Sequence, residues 1–219
     1  GAGFHHRTLS VAEKMNKGRS NPVRGRRDFM VRVAALPVAM LVLPQGSTAQ
    51  TAQATPGGGE QPPDEVRRRR PAARLSGRGT LRFLGLHIYD ALLWVENAID
   101  SGNYAAHPLA LELRYARSLY GSLIAERSLR EMERAGPIPA IQSERWLAFM
   151  REAFPDVGAG DRITGLWNPA DETSEFVING KAGKALRDRA FGERFFGIWL
   201  GNSTSEPALR QALLGRKAP

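Results

Sequence analysis

The sequence predicts an α+β fold in which an antiparallel sheet is covered on one face by a layer of helices. Three observations carry this. Alternating apolar and polar residues recur before residue 116 and again over 161–178; two runs of helical spacing lie between them; two more helical runs close the chain. The order of strands, helices, strands, helices lacks the regular alternation of a doubly wound parallel sheet.

The first strands are expected over 75–84 and 86–96, with Gly85 between them. In the first, Leu75, Gly77, Gly79, Leu81 and Phe83 share one face, which places Arg82 on the other. Residues 109–115 repeat the alternation, with Leu109, Leu111, Leu113 and Tyr115 against Glu112 and Arg114. Ser118 is expected to cap a helix that Gly136-Pro137 ends, and Ser143 with Glu144 to open a second that carries Trp146, Leu147, Met150 and Phe154. Strands follow at 161–167 and 174–178, and Asn179-Gly180 signals a tight turn because both residues tolerate positive φ. The closing helices are placed at 188–200 and about 206–214, the second with Ser205 as cap and Pro207 at its first position.

Charge is uneven along the 219 residues. Residues 1–54 hold eight Lys and Arg against Glu13 and Asp28, so most of the formal +9 lies there and not on the candidate fold. That argues against nucleic acid as a partner, which needs a basic face on the folded part. The same segment reads as an export leader: basic residues, an apolar run at 33–43 too short to cross a bilayer, then small residues with cleavage expected after about Ala49 or Ala54. Arg26-Arg27-Asp28-Phe29-Met30 fits a twin-arginine signal, with Met15 as the expected start; a general secretory signal with a chance arginine pair is the alternative. The expected mature protein is soluble, periplasmic and without a transmembrane anchor. Residues 55–73, rich in Gly, Pro and charge, are expected to form a flexible linker before a domain at 74–216.

Much familiar chemistry is missing. There is no cysteine, and beyond the leader only His87 and His107 remain, so no standard zinc site can form; a carboxylate-rich metal site stays open, but no ligand spacing points to one. Gly77-Arg78-Gly79 begins a dinucleotide pattern, but a strand follows in place of a helix, so the glycines are read as permitting a close neighbour. No nucleophile elbow or phosphate loop occurs, and no cofactor is expected.

Four blocks in order, LSGRGTLRFLGLHIYDALLWVE, LALELRYARSLYGSLIAERSLREMER, FPDVGAGDRITGLW with FVINGKAG, and RDRAFGERFFGIWLGNSTSEPALRQALLG, resemble the chalcone-isomerase-like proteins of bacteria. The resemblance implies an open-faced β-sandwich with a cleft between sheet and helices. In chalcone isomerases an arginine and a tyrosine line that cleft and stabilise the oxygens of an intramolecular Michael addition; in fatty-acid-binding relatives similar residues hold a carboxylate. Carried over, Arg82 falls near the arginine and Tyr115 at the tyrosine, while Tyr89 lies near a position where the isomerases carry threonine. Arg114 and Arg117 flank Tyr115 as alternative anion contacts. A guanidinium fork and a phenol suit either activity. The expected function is an exported protein that binds an apolar, anionic ligand such as a fatty acid through Arg82, Tyr115, Tyr89 and Arg114. A cofactor-free isomerase or lyase using Arg82, Tyr115 and Tyr89, and an interaction module whose cleft its own side chains fill, are the alternatives. Arg82 as a surface-paired strand residue and Tyr115 as a core tyrosine are the plainer readings of the two main positions.

Overall fold

The computed structural model describes residues 60–215, so the expected leader and the first residues of the expected linker lie outside the described residues. Helix α1 (Asp64–Arg69) is followed by strands β1 (Arg74–Phe83) and β2 (Leu86–Val95), a 3₁₀ turn (Tyr104–Ala106) and β3 (Leu109–Tyr115). Helices α2 (Gly121–Glu133) and α3 (Ala140–Ala153) lead into β4 (Arg162–Asn168), β5 (Thr173–Ile178) and β6 (Lys181–Arg187), and α4 (Arg189–Leu200) and α5 (Pro207–Leu213) close the chain. The six strands pair in sequence order, each antiparallel to its neighbour. The fold is therefore the α+β arrangement that the alternating segments predict.

Side-chain alternation divides the sheet into two environments. On one face Ala91, Leu93, Leu111, Tyr115, Ile163 and Phe176 join a continuous core with Trp146 and Met150 of α3, the aromatic residues of α4 and Leu209 and Leu213 of α5. Gly77 and Gly79 of β1 do permit a close neighbour, for a Cβ at Gly77 would stand 2.0 Å from the Ala212 carbonyl oxygen. Asp188 fixes the start of α4 by accepting from the Phe191 amide at 3.0 Å and from the Trp146 indole at 2.9 Å.

The other face is where the expected linker is corrected. Residues 64–69 are helical, and Val66 is fully buried against Leu92, Trp94, Ala110, Leu166 and Val177. Several of the charges that suggested a solvated tether are engaged with the sheet: Arg69 pairs with Glu175, Arg70 donates to the Trp167 carbonyl, and Glu65 accepts from Arg162 and from the Thr164 hydroxyl, both at 2.9 Å. The folded unit thus begins well before the expected boundary at residue 74, and Leu75 is turned to this second face by a bulge between Leu75 and Gly77.

Three further details depart from expectation. Ser118 does not cap α2: Leu119 bridges Val157, and the Gly121 amide donates to Asp156, 2.8 Å away, so the cap comes from another segment. Helix α3 starts at Ala140 behind Pro139, which puts Ser143 inside it. Strand β6 was not expected, because its sequence is short in apolar side chains; it is an exposed edge strand held by pairing with β5. Among the described residues no helix is long and apolar enough to cross a membrane.

Candidate functional site

Two of the expected site residues meet at one end of the helix-covered face. Tyr89 and Tyr115 stand opposite each other in the β2–β3 register, with ring centroids 5.9 Å apart and planes at 76°. Both side chains fall on this face because each strand keeps its period of two up to this point. Tyr115 is only 4% exposed. The Tyr89 ring is partly exposed, but its hydroxyl is held inside, where it accepts from the Trp199 indole N–H at 2.9 Å. Trp199 is in turn set edge-on against Phe195, one turn earlier on α4. No described residue hydrogen-bonds the Tyr115 hydroxyl; burial, with the Tyr89 phenol beside it, pushes its pKa well above the ordinary value of 10.0. Burial also raises Tyr89, more than the Trp199 hydrogen bond lowers it.

Both phenols are therefore neutral donors at any physiological pH, and their ionisation works against the fold. The unfolded chain ionises its tyrosines near 10.0 while the folded chain holds these two protonated, so their contribution is complete below that pH and is lost as pH rises toward the folded values. Each phenol then costs about 1.4 kcal/mol per pH unit. The stability gap between wild type and Tyr115→Phe should shift by about that amount per unit above pH 10, measured by urea denaturation at increasing pH; a gap that stays constant would show the phenol to be solvated.

Arg82 does not join this pair. Its neighbour Leu81 faces Tyr89 and packs against the core, while Arg82 is exposed. The charges that act on the Tyr89 hydroxyl come from Glu206, Arg127 and Glu131. Arg127 and Glu131 form an i,i+4 ion pair at 2.6 Å on α2, so the cation nearest in effect belongs to a helix and not to β1. The i,i+4 spacing is visible in the sequence, but nothing there links it to a tyrosine on β2.

Arg114 is also elsewhere. It lies on the second face, paired with Glu60 and donating at 2.7 Å to Glu112, a fully buried carboxylate that accepts from the Trp94 indole as well. Beside this network a cleft of ≈ 410 Å³ is lined by Pro63, Asp64, Glu65, Arg68, Arg162 and Gly180. Two of its charges, Glu65 and Arg162, are matched to each other and join α1 to the sheet. Among the described residues no group of three or more His, Cys, Asp or Glu is placed to hold a metal ion.

Under the helices, by contrast, the space expected to be a cleft is occupied by aromatic side chains. Phe176 of β5 meets Phe154 at 4.9 Å and Phe195 at 5.0 Å, and Phe191 stacks on Phe195 at 5.4 Å. Rings at these separations are in mutual contact.

A six-stranded antiparallel meander with α2 to α5 over one face, and only the short α1 against the other, is an open-faced sandwich of the chalcone isomerase type. The chain belongs to the chalcone isomerase-like family, whose sequence profile matches residues 55–215. It is similar in fold to a fatty-acid binding protein of Arabidopsis thaliana, with a TM-score of 0.50 and 10% identity over 66% of this chain and 87% of that one. A protein of Haemophilus influenzae described as uncharacterized is 27% identical over 130 residues, which cover 59% of this chain and 62% of the relative, so the match spans less than two thirds of that protein.

Proposed function

We propose that the chain binds an apolar, anionic molecule such as a fatty acid at the Tyr89–Tyr115 end of the covered face. The observation that carries this is the phenol pair: Tyr115 is nearly buried against Tyr89 among apolar neighbours, and no described residue takes its hydroxyl hydrogen bond. That hydroxyl is free to donate to a carboxylate or other acceptor, one of the few polar groups that orient a ligand in an apolar site. Arg127 lies on the same side, paired there with Glu131, and Tyr89 is already oriented by Trp199. The fatty-acid binding protein of the same fold supports the ligand class. Because the interior is filled, binding displaces side chains between α2, α4 and the sheet.

Delipidated protein titrated with a fluorescent fatty acid tests this. Tyr115→Phe should weaken binding about 10- to 100-fold, the value of one hydrogen bond to a charged group, whereas Arg82→Ala should change it by about twofold at most, as expected of an exposed charge. Equal binding by wild type and Tyr115→Phe overturns the reading. No binding by wild type favours the second one, an interaction module with a filled cleft, which the ring packing around Phe176 supports. Turnover of a hydroxychalcone that Tyr115→Phe abolishes would instead make the chain an isomerase.

The proposal also places the protein outside the cytoplasm, from the twin-arginine pattern at residues 26–30. Recovery from the periplasm of a chain shortened at about Ala49 or Ala54 supports this, and an intact chain in the cytoplasm refutes it.

A further inference from the structure

The β1–β2 hairpin closes on the two residues Leu84-Gly85 between the paired Phe83 and Leu86. Both turn residues have positive φ, 49° and 77°. This is the type I′ form, which follows the twist of the flanking strands and favours Asn, Asp or Gly. The same chain contains a direct comparison, for β5 and β6 are joined by Asn179-Gly180 at φ 50° and 79°. One hairpin carries the residue its backbone prefers; the other holds a leucine in a conformation that crowds its Cβ.

That leucine is also misplaced by polarity. Leu84 is 75% exposed, Phe83 53% and Leu86 49%, so three large apolar side chains stand together in water at the hairpin tip. The tip overhangs the sheet: β3 registers with β2 from Tyr89 onward, and one further bond, from the Ala116 amide to the Ile88 carbonyl, is the last link before the turn. A cation borders it. Arg82 is exposed beside Phe83 and stands opposite His87 in the hairpin register, while Arg78, further back on the same strand, pairs with Glu60 at 3.4 Å. The hairpin's single carboxylate, Asp90, is engaged by Thr80 and His87.

We propose that this tip inserts into a lipid bilayer bearing anionic headgroups, with Phe83, Leu84 and Leu86 entering the acyl boundary and Arg82 meeting the phosphates. Apolar residues on a projecting turn with an arginine one step behind match the layering of a membrane surface, where apolar burial and attraction to anionic lipid act together. The inference stands whether or not the phenol pair holds a ligand, and it gives exposed Arg82 a partner that no described residue provides.

Sedimentation of the purified chain with mixed phosphatidylglycerol–phosphatidylcholine vesicles tests it, with Leu84→Asn as the decisive variant. Asparagine suits the turn, so thermal stability should hold or rise while vesicle affinity falls about tenfold or more, equivalent to ~1.4 kcal/mol. Replacement Arg82→Gln should weaken binding to the mixed vesicles and leave binding to phosphatidylcholine alone unchanged. Unaltered affinity in Leu84→Asn overturns the proposal, and so does failure of the wild type to bind either vesicle. A concentration-dependent dimer that Leu84→Asn abolishes, without vesicle binding, assigns the tip to a second copy of the chain and overturns it equally.

Discussion

Gly192→Ala is expected to destabilise the chain by at least about 2 kcal/mol, although alanine is the better helix former. A Cβ at this position of α4 would stand 2.1 Å from Cζ3 and 2.4 Å from Cε3 of Trp167. No such contact is tolerable, and Trp167 cannot swing aside: it is fully buried and its indole N–H donates to the Ala105 carbonyl at 2.9 Å. Helix and sheet must separate instead. Overpacking of this kind costs up to about 3 kcal/mol or more, against a gain of about 1 kcal/mol in helix propensity. The effect should reach the phenol pair, because α4 also carries Trp199, whose indole holds the Tyr89 hydroxyl. Urea denaturation and fatty-acid titration on the same variant should therefore both change. Adding Trp167→Leu removes the six-membered ring that collides and should recover part of the stability; a merely additive double mutant would show that the clash is not the cause.

The covered face was legible because its residues announce themselves one strand at a time. Leu109, Leu111, Leu113 and Tyr115 alternate cleanly, and the order of the four blocks pointed to the family. Tyr89 and Tyr115 could each be named as site residues on these grounds, and the β2–β3 register is what sets them side by side. What completes their site could not, for Trp199 lies 110 positions from Tyr89, and its role depends on how α4 crosses the sheet. Arg82 shows the limit of carrying a motif over by position alone: the β1 alternation already set it opposite Leu81, and Leu81 is the residue that faces Tyr89. The second face was misread for a different reason. Glu112 sits at a position that alternation assigns to water, and α1 was hidden by the mean composition of a segment rich in proline and arginine. Average polarity cannot reveal that one valine fills a gap over Trp94 or that one glutamate finds Arg162 and Thr164. Strand β6 escaped notice because pairing alone places an exposed edge strand.

Removal of residues 60–73 is the sharpest test of the second face and should leave a chain that fails to fold stably. Without α1 the sheet exposes parts of Leu92, Trp94, Leu166 and Val177, all of which are buried in the intact chain. Full exposure of one such side chain costs about 1.5–3 kcal/mol, so uncovering portions of four amounts to about 4 kcal/mol or more, comparable with the 5–15 kcal/mol total of an ordinary domain. The lost ion pairs add less, since Glu112 and Arg114 regain water once the cover is gone. A milder variant separates packing from charge. Glu65→Ala keeps Val66 in place but leaves Arg162 only its longer contact with Glu112 and the fully buried Thr164 hydroxyl without its acceptor, a loss of about 3 kcal/mol. Deletion should thus exceed Glu65→Ala in urea denaturation, and the emission of Trp94, dry in the intact chain, should shift to the red in the truncated one alone. If the chain from Arg74 onward unfolds at the same urea concentration as the longer one, α1 contributes nothing and the segment is a tether after all. If Glu65→Ala matches the deletion, the charge pair and not the apolar cover is what holds α1 to the sheet.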